Sequence, residues 1–141
     1  MAAIIIPSSL ETAQPTEVVR WAAEAFGADN LVVTASFEDA VLVHVAATAV
    51  PGIEITLLDT QYLFAETQWL VDELTKRLDL HLRIVRPLAE VVPDNRWQAD
   101  VEGCCQVRKV EPLARAIAGK QAWITGVRRA DGPTRAGAPV A

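Results

Sequence analysis

The sequence predicts an α/β fold, a doubly wound and largely parallel sheet, carried by one domain over residues 1–141. Three observations predict it. Short runs rich in valine, isoleucine and leucine alternate with longer segments whose apolar residues recur at helical spacing. Glycine and proline fall between these segments, where turns are required. A strand, helix, strand order then demands right-handed crossovers, and these place helices on both faces of a parallel sheet.

The elements follow in order. Val18, Val19, Ala22, Ala25 and Phe26 repeat at helical spacing from Thr16, and Gly27 suits a left-handed stop. Leu31 to Ala35 reads as the first strand, Ser36-Phe37-Glu38-Asp39 as a loop, and Val41, Leu42, Val45, Ala46 and Ala49 as the next helix. Pro51-Gly52 ends that helix, and Ile53 to Leu58 forms a second strand closing on Asp59-Thr60. A third helix runs through Phe64, Trp69, Leu70, Leu74 and Leu78, and His81 to Val85 is a third strand. Arg86 to Gly103 reads as loop or partial helix, with Trp97 placed to cover a site. Cys104 to Ala118 is mostly helical, although Pro112 should break or restart it. Ala122 to Gly126 is the fourth strand. Spacing also suggests a core or boundary position for His44, and core positions for most of the four tryptophans.

Composition narrows the function. With 51% apolar and 22% charged residues the chain is that of a soluble globular domain. A net charge of −5 argues against nucleic acid or a membrane surface as partner, since either would select a basic face. No apolar run reaches the roughly 18 residues of a membrane span, and Met1 to Pro7 lacks the pattern of a secretory signal, so a cytoplasmic location is expected.

Cys104 and Cys105 are the only cysteines, and Arg108-Lys109 follows one helical turn later. A disulfide between immediate neighbours closes a strained ring, which leaves free thiols or metal ligands. Adjacent thiolates point in different directions and can serve different irons of one cluster. A 4Fe-4S cluster takes four thiolates, and this chain has two.

In a doubly wound sheet ligands sit outside the carboxyl ends of the strands. Three segments are expected there. Thr34 to Asp39 leads into a helix whose N-terminal N–H groups favour an anion, although Asp39 is better read, by itself, as a helix cap. Leu58-Asp59-Thr60 with Gln61, Tyr62 and Phe64 suits a base or ribose. Equally, Asp59 or Thr60 caps the third helix while Tyr62 and Phe64 close the core. Gly126 to Arg135 concentrates Arg128, Arg129 and Arg135 in one loop, which favours a phosphate or sulfate over a merely solvated turn.

Together these segments resemble the sulfonucleotide reductases, specifically the assimilatory adenylyl-sulfate reductases of the phosphoadenylyl-sulfate reductase family. The resemblance rests on Val32-Val33-Thr34-Ala35-Ser36 with Asp39-Ala40-Val41-Leu42-Val43, on Leu58-Asp59-Thr60 with Glu66-Thr67, on Cys104 to Leu113, and on Trp123 to Arg129 with Pro133-Thr134-Arg135-Ala136. It implies an adenine nucleotide alpha-hydrolase-like fold with the nucleotide across the strand ends. It further implies that Ser36, Leu58, Asp59, Arg108, Lys109, Gly126 and Arg128, supported by Arg129 and Arg135, bind nucleotide or sulfate, and that Cys104 and Cys105 ligate a 4Fe-4S cluster.

The activity implied is reduction of adenylyl sulfate to sulfite and AMP in sulfate assimilation, towards cysteine biosynthesis, with thioredoxin as partner. Family members continue further, through a Cys-x-x-Cys pair and a near-terminal nucleophilic cysteine. This chain is therefore expected to be a truncated sulfonucleotide-binding domain, with no catalytic residue of its own and inactive alone. Alternatives are a catalytically dead nucleotide-binding module and a phosphoadenylyl-sulfate reductase. An ATP pyrophosphatase or sulfate adenylyltransferase subunit would carry a glycine-rich Ser-Gly-Gly-x-Asp-Ser loop, which Ser36-Phe37-Glu38-Asp39 does not provide. A homo-oligomer would cover the exposed sheet edge.

Overall fold

The computed structural model describes residues 4–91 and 96–141, with Arg96 described through its backbone only. Helix α1 (Pro15–Phe26) leads to strand β1 (Leu31–Thr34), α2 (Val41–Ala49), β2 (Glu54–Leu58), α3 (Ala65–Leu78) and β3 (His81–Val85). Short helices α4 (Arg96–Ala99) and α5 (Val101–Cys105) follow, then a π-helical turn (Gln106–Val110), α6 (Glu111–Ile117) and β4 (Ala122–Thr125). The four strands are parallel, in the order β3-β2-β1-β4.

Strand periodicity sorts the side chains. Leu31, Val33, Ile55 and Leu57 face one way, onto Val19 and Ala22 of α1, Val43 and Ala46 of α2 and Val71 of α3. Complete burial of residues such as Val33 and Ile55 contributes about 1.5–3 kcal/mol each, so this face is the principal core. The crossovers through α2 and α3 lie on it. The connection through α6 returns across the opposite face, where α6 packs on β2 and β3 and Arg83 Nη1 donates to the Ala116 carbonyl at 3.4 Å. The predicted doubly wound arrangement is thus present, and the direction of strand addition reverses between β1 and β4.

Several local expectations change. At Pro112 the expected restart takes the form of a π-helical turn: regular α pairing stops at Cys105 and resumes with α6, where Pro112 sits in the first turn. The stretch 86–103 holds α4 and most of α5, and its residues 92–95 lie outside the described residues. Trp97 sits on α4 and is exposed, as are Trp69, Trp123 and His44, so among the tryptophans only Trp21 joins the core, edge-on to Phe26. Helical spacing marks one face of an element, but it does not reveal whether another element covers that face. No helix among the described residues is long and apolar enough to cross a membrane.

Candidate functional site

The carboxyl ends of β1 and β4 form the point where winding reverses, and two loops meet there. After β1, Ala35 N–H donates to the Thr56 carbonyl (3.0 Å), extending the strand by one bond. Ser36 is then exposed, while Phe37 turns inward to 2% exposure with φ +58°, a left-handed conformation that non-glycine residues seldom adopt. Asp39 is not the N-cap expected of it: Ala40 holds that position without a side-chain cap, and Asp39, one residue earlier, accepts from Val41 N–H through Oδ1 at 2.9 Å and so closes the turn into α2. From the other side, a Cβ on Gly126 would lie 3.4 Å from Leu42 Cδ2. The end of β4 therefore packs against the first turn of α2, bringing Gly126 close to the Ser36 loop.

A second group forms at the end of β2. Asp59 N–H donates to the Val85 carbonyl (2.9 Å), its Oδ1 accepts from Gln61 N–H (2.8 Å), and its Oδ2 lies 3.2 Å from Arg86 Nε. Tyr62 N–H donates to Thr60 Oγ1 (3.2 Å). Asp59 and Thr60 thus shape their own turn instead of capping α3, and Tyr62 and Phe64 stay exposed instead of closing the core. Beside them, Phe37, Glu38, Glu66, Thr67, Trp69 and Leu70 line an open groove of about 550 Å³. Its carboxylates disfavour a phosphate; its aromatic and apolar walls suit an uncharged group.

Arg108 enters this second group from the far side of the chain. It is 1% exposed, its Nη1 donates to the Thr60 carbonyl (3.1 Å) and to Gln61 Oε1 (2.8 Å), and its Cζ lies 4.5 Å from the centre of the Tyr62 ring. Lys109 is exposed. Because Arg108 is fastened to the end of β2, the preceding turn with Cys104 and Cys105 also lies towards the carboxyl end of the sheet. Both cysteines are free and half-buried.

The basic loop after β4 is more self-contained than its composition suggests. Arg128 pairs with Asp131 at 3.1 Å and is 74% exposed, whereas Arg129 is tied to Glu11 (3.0 Å) and to the Ala138 carbonyl (2.8 Å). Arg135 is exposed and lies within electrostatic reach of Asp131. The backbone N–H of Arg128, then the charges of Arg128 and Arg135, hold the Asp131 carboxyl below its usual 3.8. A lowered carboxylate pKa contributes stability that is complete above the ordinary value and is lost as pH falls through the lowered one. The Arg128–Asp131 pair is accordingly expected to stay formed throughout the neutral range and to be lost only below the ordinary carboxylate range. Following the Asp131 side-chain carbon by NMR checks this: a midpoint at or above 3.8 would contradict it.

Comparison with known proteins places this geometry. The phosphoadenosine phosphosulfate reductase domain matches residues 30–141. The chain belongs to that family. An adenosine 5'-phosphosulfate reductase of Mycobacteroides abscessus is 42% identical over 139 residues, and one of Streptomyces coelicolor is 41% identical over 137. These alignments cover 94% and 93% of this chain and 58% of each relative, so the chain spans little more than half their length. A Mycobacterium tuberculosis reductase of the same description is 34% identical, with 94% and 61% covered. Among solved structures, a phosphoadenylyl-sulfate reductase from Candida auris, determined as a phosphate complex, superposes with a TM-score of 0.73 at 24% identity, over 90% of this chain and 71% of that one. That likeness shares the fold.

Set against the phosphoadenosine phosphosulfate reductase family, the residues named from sequence fall into three places. Ser36 and Gly126 follow the paired residues Thr34 and Thr125 at the ends of β1 and β4. Leu58, Asp59 and Arg108 gather at the end of β2. Arg128, Arg129 and Arg135 lie in the loop beyond β4, the first two engaged by carboxylates. For iron, the donor chemistry of Cys104 and Cys105 is suitable, and they supply two of the four thiolates a cubane takes. No group of three His, Cys, Asp or Glu side chains is arranged for a metal among the described residues.

Two supporting residues escaped the sequence reading. Asp100 caps α5 by accepting from Gly103 N–H at 3.0 Å, and a Cβ on Gly103 would lie 2.1 Å from that carboxylate. An aspartate three residues before a glycine, just ahead of the cysteines, was the available signal.

Proposed function

We propose that this chain is the sulfonucleotide-binding part of an adenylyl-sulfate reductase, acting in sulfate assimilation. The observation that carries the reading is the tandem cysteine pair, one helical turn from an arginine fastened to the β2–α3 loop, in a chain whose curated relatives are named adenosine 5'-phosphosulfate reductases. Ser36 and Gly126 would flank the nucleotide phosphate at the reversal point. Leu58 and Asp59 would meet base or ribose, while Lys109, Arg128 and Arg135 would offset the substrate's negative charge, with Arg129 in support. Arg108, assigned from sequence to nucleotide or sulfate, reaches this site through the loop it holds.

Cys104 and Cys105 would hold one side of a 4Fe-4S cluster, which when bound would tie the helix that carries them into a rigid arrangement. In the proposed reaction a cysteine thiolate attacks the sulfur of adenylyl sulfate, forming an S–S bond and releasing AMP. A thioredoxin dithiol then reduces the S-sulfocysteine, giving sulfite, the free thiol and a thioredoxin disulfide. This reading assigns both cysteines of residues 1–141 to iron, so these residues alone are expected to bind nucleotide without turnover. A cytoplasmic setting goes with the thioredoxin partner.

Calorimetric titration with AMP, adenylyl sulfate and its 3′-phosphorylated form tests the proposal. Binding of the first two, and weaker binding of the third, supports it; failure to bind either of the first two removes it. Anaerobic reconstitution of the chain beside Cys104→Ser/Cys105→Ser separates the iron assignment from the nucleotide assignment. The double variant should lose whatever iron the chain retains and keep its affinity for AMP.

A further inference from the structure

Arg108 is the one charged side chain among the described residues that is buried, and it lies 47 and 48 residues along the chain from the groups that accept its hydrogen bonds. We propose that Arg108 is a positioning residue that couples the β2–α3 loop to the helix bearing Cys104 and Cys105, so that a ligand held by the loop alters the reactivity of the thiols. The ligand half of this statement rests on the nucleotide site proposed above; the coupling itself does not.

Both ends of the link are special backbone. On the loop side, Gln61 has φ +70°, and such a conformation persists only where the surroundings over-determine it. Here Gln61 is held from two directions: its N–H donates to Asp59 Oδ1 (2.8 Å), and its side-chain oxygen accepts from Arg108 (2.8 Å). On the helix side, Arg108 stands at the middle of the π-helical turn Gln106–Val110, in which Glu111 N–H donates to the Gln106 carbonyl five residues back. A π turn inside an α-helix is a local insertion, and its relaxation to α-helical pairing rotates whatever lies on one side of it relative to the other. The cysteines lie on one side, and α6, packed on β2 and β3, on the other.

The chemistry requires an arginine. One guanidinium nitrogen donates to two oxygens of the loop while Cζ lies 4.5 Å from the centre of the Tyr62 ring, an arrangement that a compact ammonium on a flexible stem reproduces poorly. Anchoring the loop and the π turn through a single side chain gives them one joint arrangement. Disturbing either end is then felt at the other.

The test measures the alkylation rate of Cys104 and Cys105 by a small maleimide, read by mass spectrometry, in the full chain and in the variants Arg108→Lys, Arg108→Gln and Gln61→Ala. Couplings between sites typically amount to about 5–150-fold. Saturating AMP should slow alkylation of the unaltered chain about tenfold. Without ligand, each variant should be alkylated several times faster, and AMP should no longer protect it. Gln61→Ala alters an exposed residue outside the core, so it decides the matter if the Arg108 variants fail to fold. Combining Gln61→Ala with Arg108→Gln should add little to Arg108→Gln alone, because both cut the same link. Affinity for adenosine and for AMP should fall by the same factor in Arg108→Lys. A loss confined to AMP means that Arg108 meets the phosphate directly and overturns the proposal, as do unchanged ligand-free alkylation in Gln61→Ala or additive effects in the double variant. If the unaltered chain binds neither adenosine nor AMP, the nucleotide site falls. The ligand-free rates of the unaltered chain and Gln61→Ala then still decide the coupling.

Discussion

Replacing Phe37 with alanine is expected to remove about 3–5 kcal/mol of folding stability, the cost of deleting a fully buried aromatic ring. The ring is 2% exposed and belongs to the principal core, although it comes from the loop after β1 and not from a regular element. It thereby anchors the segment between Ser36 and Asp39. The backbone sharpens the test. At φ +58° alanine retains the strain that phenylalanine bears, whereas glycine does not. Phe37→Gly should therefore be at least as stable as Phe37→Ala, the reverse of the usual ranking of these residues within an element. Urea unfolding at constant m-value measures both. A loss under 1 kcal/mol for Phe37→Ala, or a glycine variant clearly less stable than the alanine one, would show that the ring is not the anchor of the loop.

Arg108→Ala is expected to cost about 2–4 kcal/mol, through loss of two charge-assisted hydrogen bonds and of side-chain packing. Removal of the donor leaves the part-buried Thr60 carbonyl without that partner, whereas the exposed Gln61 amide can turn to water, and this keeps the cost below that of a fully sealed pair. Arg108→Met should recover the packing share and not the hydrogen-bond share. The two variants should therefore unfold at different urea midpoints, both below that of the unaltered chain. Equal stability of all three would mean that the guanidinium contributes nothing net, an outcome some buried charges do show. The stability measurement and the alkylation measurement are independent: the first weighs the link, and the second shows whether it transmits.

Much of the fold was legible before any coordinates. Helices α1 and α3 and strand β3 begin and end within a residue of where periodicity and punctuation placed them, because these signals arise from residues a few positions apart. Even the parallel sheet follows from local information, since each crossover has the length and the helix that parallel pairing needs. The site was legible as a set of segments at the carboxyl ends of strands, which is a property of topology. What each side chain does within it was not. Three arginines in one loop read as an anion trap, yet Arg128 and Arg129 find carboxylates, one three residues away and the other on the N-terminal 3₁₀ turn Ser8–Thr12. Trp123 reads as core, yet it is exposed, with Nε1 donating to Thr34 Oγ1 across a separation of 89 residues.

By itself the sequence determined the order and type of the main helices and strands, the membership of a reductase family and the presence of two adjacent thiols with a basic pair behind them. Only the tertiary structure decided that the two members of that pair part company, Lys109 to solvent and Arg108 into the interior. The reason is physical. Secondary structure is selected by interactions among neighbours in the chain, while the direction of a long charged side chain is set by whatever acceptors the folded chain brings within about 3 Å. For Arg108 those acceptors are Thr60 and Gln61, nearly fifty residues away, and the turn of the helix that aims it at them has π rather than α pairing.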